Sequence, residues 1–535
     1  MSQYDVIIIG AGHNGLVTAG YLAKAGRRVL VLEGQDRVGG AAISEELFPG
    51  YRVSSCADGS GYLLPEVVRD LKLESHGLEI LPSDPVVWSP QPDGRHLTLW
   101  RDVARTAQEI ERFSSADAKA YPRFVSLMQK LAGVVGGLAG ITPPDIPEVG
   151  WKDLPPLRTL VGPIRRVGRK HISDLLRVLP MPVTDLLDEF FESEALRAAI
   201  SAGGVRDITW GPKEAGTAYT LLYHWALSDT GIFRSAGEVR GGMGALSDAL
   251  AAAARGFGAE VLTGSRVERI QVEGNAVTGV ALAGGNTFAA RRVVSNADPR
   301  TTFLGLLDPT RLDPAFVKHV QNVKYRGSAA RIHLAVRGLP EFSALRGDGD
   351  GSGDAGEPLE RLRGAIQIAP TVDYLQRAYD CTKYGEFSPR PYLDLRIPTL
   401  SDPSLAPAGH HLISITAKYA PYDLRDGRWE DRREAFTEVV LDTLAEYVPK
   451  LRDQVVHRHT RVPTDLEADF GLPGGNGHHG EITLDQFFHM RPIPGYANYS
   501  TPVAGLHMCG AGCHPGGGVT GIPGRNAARE ILKRS

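Results

Sequence analysis

Cysteine is scarce in this 535-residue chain: Cys56, Cys381, Cys509 and Cys513 are all it has. Four thiols do not make a disulfide scaffold, and so sparse a set suits a reducing compartment. Cys509 and Cys513 sit close together, but no second Cys/His pair stands at zinc spacing, so no metal site is expected. Neither CxxC nor CxxxxC occurs, which excludes a dithiol relay of the disulfide-reductase kind. An excess of one charge is missing too. The 59 Lys and Arg face 62 Asp and Glu, and a net charge of -3 gives no footprint for nucleic acid. No run reaches the ~18 uninterrupted apolar residues of a membrane span. No basic, apolar leader precedes the first strand, so the expectation is a cytoplasmic protein.

What is present is ordinary for a globular chain: 42% hydrophobic and 23% charged residues. At roughly 100–200 residues per domain, the length predicts two or three domains. Residues 4–33 read as strand, Gly-rich turn, helix and strand. The run Val6-Ile7-Ile8-Ile9 suits a parallel strand buried on both faces. A helix is predicted over Leu16 to Ala25, with Gly26 at its C-cap, and a second strand over Val29 to Leu32. Residues 100–235 read as mainly helical, 258–300 as short strands, and 325–420 as strands with long loops. The last elements are a strand at Leu506 to Cys509 and a helix at Pro523 to Lys533.

Gly10-Ala11-Gly12-His13-Asn14-Gly15 is GxGxxG, and it lies between a buried strand and a helix, with Glu33 ending the next strand. That constellation is the dinucleotide fingerprint. Gly10 permits the turn, Gly12 lets the backbone approach a pyrophosphate, and Gly15 lets helix and sheet come close. The helix N-terminus offers free N–H groups to phosphate. The Glu33 carboxylate suits ribose hydroxyls and would repel a 2′-phosphate. Arg37-Val38-Gly39-Gly40-Ala41 adds a second close backbone approach with an arginine nearby, which favours FAD over NAD. A third glycine cluster, Gly510 to Gly521, follows an apolar strand and precedes a helix with Pro523 near its start. Its geometry suits an electron-rich ligand group.

With these residues the sequence resembles the phytoene desaturase, carotenoid isomerase and retinol saturase group. Within that group it is most similar to the branch of a mitochondrial pyridine nucleotide–disulfide oxidoreductase domain-containing protein and its bacterial relatives. The matching segments are Val6 to Gly15, Arg37 to Ala42, Gly241 to Leu246, Val293 to Pro299, Arg491 to Gly495 and Cys509 to Arg529. The resemblance implies an α/β fold, α+β overall: a Rossmann-like FAD domain of the amine oxidase and phytoene desaturase type. That domain would be discontinuous, from 1–80, 236–300 and 465–535. Residues 81–235 would form a mainly helical substrate or cap region, and 301–464 a substrate-domain sheet with helices. By the same resemblance Val267 would meet the adenine, and Gly512, Val519, Thr520 and Gly521 would flank the pyrophosphate and flavin ring.

The function so implied is dehydrogenation of an apolar, isoprenoid- or polyene-like substrate by hydride transfer to flavin N5. A redox-neutral cis-trans isomerase, an amine oxidase and a non-catalytic flavoprotein are the alternatives. Because no second strand–GxGxxG–helix unit exists, the electron acceptor is expected to be oxygen or a quinone rather than a pyridine nucleotide. His514 and Arg491 are candidate catalytic residues. For His514 the competing reading is a loop histidine bonded to backbone; for Arg491 it is a structural ion pair. Cys513 is not expected to tether the flavin. His478, His479 and His489 read as a polar loop. Asp348, Asp350, Ser352 and Gly353 begin like a calcium loop, but Leu359 stands where its bidentate Glu belongs. Residues 158–177 are basic and amphipathic, which suits peripheral contact with an anionic membrane or an ordinary solvated helix. A homo-oligomer is left open.

Overall fold

The computed structural model describes residues 4–58, 63–144, 172–235, 237–346 and 357–534. The calcium-like stretch at 348–353 and residues 158–171 of the basic segment lie outside these. Of the rest of that segment, residues 172–178 are helical, and Arg177 is paired with Glu189.

A seven-stranded sheet is built around Tyr4–Ile9. That strand runs parallel to Val29–Leu32 on one side and to Thr287–Ser295 on the other. Both of its faces are covered, which explains the unbroken apolar run: Val6, Ile7 and Ile8 are 1% exposed or less. The C-terminal strand Leu506–Met508 pairs with Thr287–Ser295 at the same end as the glycine turn. The first helix spans His13–Lys24 and stops at Gly26, where φ of +79° and a bond from the Gly26 N–H to the Ala23 carbonyl close the C-terminus. It crosses the last helix, Ile522–Lys533, at close range. The Thr18 hydroxyl donates to the Gly524 carbonyl at 3.0 Å, which ties the two ends of the chain together.

A second seven-stranded sheet stands beside it, in the order Val455–Arg461, Ala329–Arg337, His410–Lys418, Leu393–Arg396, Ala365–Ile368, Val87–Pro90 and His96–Leu99. The last two strands come from the stretch expected to belong to the helical region. Val87–Pro90 instead adds in parallel to Ala365–Ile368, and its Trp88 is fully buried in that sheet's core. The helical unit follows from Val103 onward. It includes Ser115–Ala139, Glu194–Val205 and Thr217–Ala226, packed around Phe124, Phe191 and Trp225. None of the described helices is long and apolar enough to cross a membrane.

Candidate functional site

The glycine turn opens onto a trough of about 800 Å³. Gly10 takes φ of +91°, which a Cβ would strain, and Gly12 caps the helix in an extended conformation. The Gly39 N–H donates to the Ala11 carbonyl at 2.9 Å, so the second glycine pair is stitched directly to the first turn. Gly10, Gly12, His13, Asn14, Glu33, Arg37, Gly39, Gly40 and Ala41 all line the trough. Gly15 lies behind it, where an added Cβ would sit 2.2 Å from the Gly10 carbonyl oxygen.

Glu33 is 9% exposed and already holds the turn in shape. Its Oε2 accepts from the Ala11 N–H at 2.7 Å and its Oε1 from the Gln35 N–H at 2.9 Å. Each oxygen keeps a further lone pair for a ribose hydroxyl. Arg37 is half-exposed and bonded to Glu45. Burial pushes the Glu45 carboxyl up, but the Ser55 hydroxyl, Arg37 and Arg461 outweigh it and hold it below the usual range.

The opposite wall comes from segments whose roles were not legible in the sequence. Asn296 and Asp298 follow the strand Thr287–Ser295, and Arg461 and Asp469 come from the second sheet and the helix after it. The Val293 to Pro299 motif was the available signal, but only as a family match. The Asn296 side chain lies under the turn, where a Cβ on Gly12 would meet its Nδ2 at 2.7 Å.

FAD fits this trough. Five wall residues carry buried polar atoms with no partner in the protein: His13 Nε2, Asn14 Oδ1, Asp298 Oδ2, Arg461 Nη1 and His479 Nδ1. Orphaned groups of this kind are rare in a native interior and ask for a polar ligand. His13 is neutral, its pKa brought down to about 4 by burial and by the neighbouring His479.

The resemblance-based positions divide. Val519 has φ of +55° and lines an inner cavity of about 150 Å³, which shares His13, Ala41, Leu472 and Gly477 with the trough. Val267 belongs to the core, and Arg266 takes the wall position. Gly512 is set against Pro299, whose Cδ a Cβ would meet at 2.6 Å, and Ala511 lines the trough. The Thr520 hydroxyl caps the Ile522 N–H at 3.1 Å. Gly521 takes φ of +68° against Val17, Val67 and Leu63. Thr520 and Gly521 thus shape the last helix start.

Both candidate catalytic residues are occupied with structure. His514 is fully buried. Its Nε2 is bonded to the Leu138 carbonyl at 2.9 Å, its ring meets Phe488 edge-on, and burial brings its pKa down to about 4. It latches the long helix Ser115–Ala139 to the C-terminal loop. Among the described residues Arg491 has no ion-pair partner. Its guanidinium donates to the carbonyls of Glu481, Gln486, His478, Gly480 and Ala511, gathering the 478–486 loop and the Ala511 turn. Both rest in the wall's foundations rather than on its surface. Cys513 is buried in the core, which pushes its thiol up. Among the described residues no group of three or more His, Cys, Asp or Glu is arranged to hold a metal ion.

The inner cavity carries a dense charge network. Its wall includes Asp58, Arg206, Asp207, Arg331, Asp394 and Lys418. Asp394 takes both terminal nitrogens of Arg234, at 2.5 and 2.7 Å, and Arg331 lies 3.1 Å from Asp58. His478 Nε2 is 3.5 Å from Asp207, whose carboxyl is held well below the usual range: burial opposes ionisation, but Arg206 and His478 outweigh it. A wider groove of about 960 Å³ lies elsewhere, between the helices Glu194–Val205 and Val372–Thr382; it shares no residue with the trough.

The strand–turn–helix, the stitched second glycine pair and the two-sheet architecture define a flavin-dependent oxidoreductase. The chain belongs to the family described as "Flavin containing amine oxidoreductase", whose profile matches residues 15–532, and its cofactor is FAD. Among its relatives is "Pyridine nucleotide-disulfide oxidoreductase domain-containing protein 2" of Rattus norvegicus, 37% identical over 547 residues, covering 99% of this chain and 94% of that one. A limonene dehydrogenase component of Castellaniella defragrans is 26% identical over 553 residues, covering 100% and 95%. Phytoene desaturases of Cereibacter sphaeroides and Pseudescherichia vulneris are 25% and 26% identical, covering 97% and 96% of this chain and 92% and 96% of those. A solved putrescine oxidase bound to putrescine shares the fold, with a TM-score of 0.61 at 16% identity over 99% of both chains.

Proposed function

We propose that this protein is an FAD-dependent dehydrogenase that removes a hydride from a C–H bond of a compact, largely apolar substrate group seated in the inner cavity. The observation that carries the reading is the cavity itself. It opens from the cofactor trough and is walled by Ala41, Ala57, Ile208, Leu466, Leu472 and Val519 beside the charge network. Bound FAD supplies the hydride acceptor there.

The chain's own residues do the rest. The Gly10–Gly15 turn and Gly39-Gly40 present backbone to the pyrophosphate, and Glu33 accepts from the ribose. The ionic network in the inner wall fixes the positions of the groups that face the substrate. Positioning alone can supply ~7–11 kcal/mol of a barrier. The Cys56 thiol in the wall is raised to about 11 by burial and is no nucleophile at neutral pH.

An engineered cavity of about this size holds a benzene ring. The inner cavity therefore suits the reacting end of a substrate better than an enclosed long polyene. The relative named as a limonene dehydrogenase supports an isoprenoid-like body. We take oxygen or a quinone as the electron acceptor, since the described sheet around Tyr4–Ile9 offers one dinucleotide turn and FAD fills it. The test is anaerobic titration of the yellow protein. A dehydrogenase substrate bleaches the flavin stoichiometrically, and readmitted oxygen or an added quinone restores it. Conversion that requires prior flavin reduction and leaves the substrate mass unchanged would replace this reading with an isomerase.

A further inference from the structure

We propose that the inner cavity receives a carboxylate on the substrate and that Lys418 is the residue that grips it. The inference rests on the dehydrogenase reading above and names the substrate class for the same site.

The charges around the inner cavity leave one cation over. Among the described residues of the network, five carboxylates and five arginines are matched. Asp394 is paired with Arg234, Asp58 with Arg331, Glu238 with Arg396 and Glu481 with Arg326. Asp207 faces Arg206 at 4.0 Å. Lys418 is the sixth cation. It ends the strand His410–Lys418, is 3% exposed, and lines the cavity. Its ammonium donates to the Ile208 carbonyl and, at 3.3 Å, to the Ser328 hydroxyl, both of them neutral. An ammonium has three protons, so one remains.

An uncompensated buried cation is costly to keep. Arg491 meets that cost with five carbonyls, whereas Lys418 has two oxygen acceptors, the face of the Tyr419 ring at 5.6 Å, and no carboxylate bonded to it among the described residues. Burial brings its pKa down to about 8, Asp207 pulls it back up and Arg331 pushes it further down, so the group is still largely protonated at neutral pH. One surplus positive charge matches one negative charge. A carboxylate supplies that, while a doubly charged phosphate would overshoot it. The small cavity also limits the group to ring size.

The probe is benzoate, with benzamide and benzylamine as its neutral and cationic counterparts, titrated into the FAD-loaded protein and read by the flavin difference spectrum and by calorimetry. Benzoate is expected to bind at least tenfold tighter than either counterpart. Lys418→Met should lose at least tenfold in benzoate affinity with little change for benzamide, and Lys418→Arg should retain most of it. Equal affinity for benzoate and benzamide, or no benzoate binding by protein that keeps its flavin, would overturn the inference. So would a Lys418→Met protein that shifts the flavin potential but keeps the preference for benzoate, because that would assign the charge to the reduced cofactor. The first comparison uses the unaltered chain and stands even if the variants fail to fold. Flavin bleaching by a neutral substrate, with benzoate ignored, would remove the carboxylate and leave the dehydrogenase in place.

Discussion

Gly524, near the start of the last helix, lies so close to the first helix that a Cβ on it would stand 2.3 Å from the Asn14 carbonyl oxygen. Asn14 belongs to the phosphate-binding turn, so the C-terminal helix is a wall against which that turn is built. The Thr18 hydroxyl bonded to both the Asn14 and the Gly524 carbonyls fixes the crossing.

Gly524→Ala is expected to separate the helices and loosen the turn. Overpacking of this kind costs about 1–3 kcal/mol. The flavin-to-protein ratio after purification and the melting temperature should both fall. A variant with full flavin and an unchanged melting curve would show that the crossing does not support the trough.

Glu33→Ala is expected to weaken FAD binding about ten- to a hundredfold, the equivalent of one charge-assisted hydrogen bond of ~1.5–3 kcal/mol. Because Glu33 also holds the Ala11 and Gln35 N–H groups, the apoprotein should lose stability as well. Glu33→Gln, which keeps one acceptor oxygen, should fall between. Fluorescence titration of apoprotein with FAD measures the affinity, and calorimetry of the apo forms measures the stability. An unchanged dissociation constant would place the ribose elsewhere.

His514→Ala is expected to cost stability and spare turnover. Its Nε2 bond to the Leu138 carbonyl is buried, and losing it costs about 0.5–1.5 kcal/mol, with the carbonyl left only the Ile141 N–H at 3.4 Å. The melting temperature should drop while the rate of flavin reduction, per bound flavin, stays within about twofold, a difference small beside the ~10²–10⁴ a lost acid or base removes. A hundredfold fall in that rate without a stability change would restore His514 to catalysis.

Acid should destabilise the fold through its buried histidines. Burial brings His333 down to about 3, and His507 and His514 to about 4, against an ordinary value near 6.5. These groups are neutral when folded and take up protons when unfolded. Their stabilising contribution is therefore complete above about pH 6.5 and is lost as pH falls toward 4. At pH 5 the loss is roughly 2 kcal/mol for each. Melting curves between pH 7 and 5 should shift steeply downward; a flat profile would mean that these rings are solvated.

The legible parts of the molecule are those written in local pattern. The buried strand at 4–9, the glycine turn, Gly26 as helix stop, Glu33 and the C-terminal strand and helix all follow from contiguous residues, and each lies where that pattern places it. What escaped depends on pairing across long separations. Val87–Pro90 is a four-residue strand ending in proline, and its partner begins at Ala365. Arg491 and His514 look like site residues because arginine and histidine in a glycine-rich tail suggest chemistry. Only the fold shows the five carbonyls around one and the helix end beneath the other. The charges of the inner cavity come from Asp58, Arg206, Arg331, Asp394 and Lys418, which no spacing rule relates. That network is invisible in sequence, where only an apolar, isoprenoid- or polyene-like substrate was expected.

The central claim is hydride removal by the oxidised flavin, and anaerobic mixing of the FAD-loaded protein with a panel of small isoprenoid and aromatic-ring carboxylic acids tests it most directly. The account predicts that a substrate bleaches one flavin per molecule consumed and yields a product lighter by two hydrogens. It is contradicted if the oxidised flavin persists while pre-reduced protein converts the same compound into a product of identical mass.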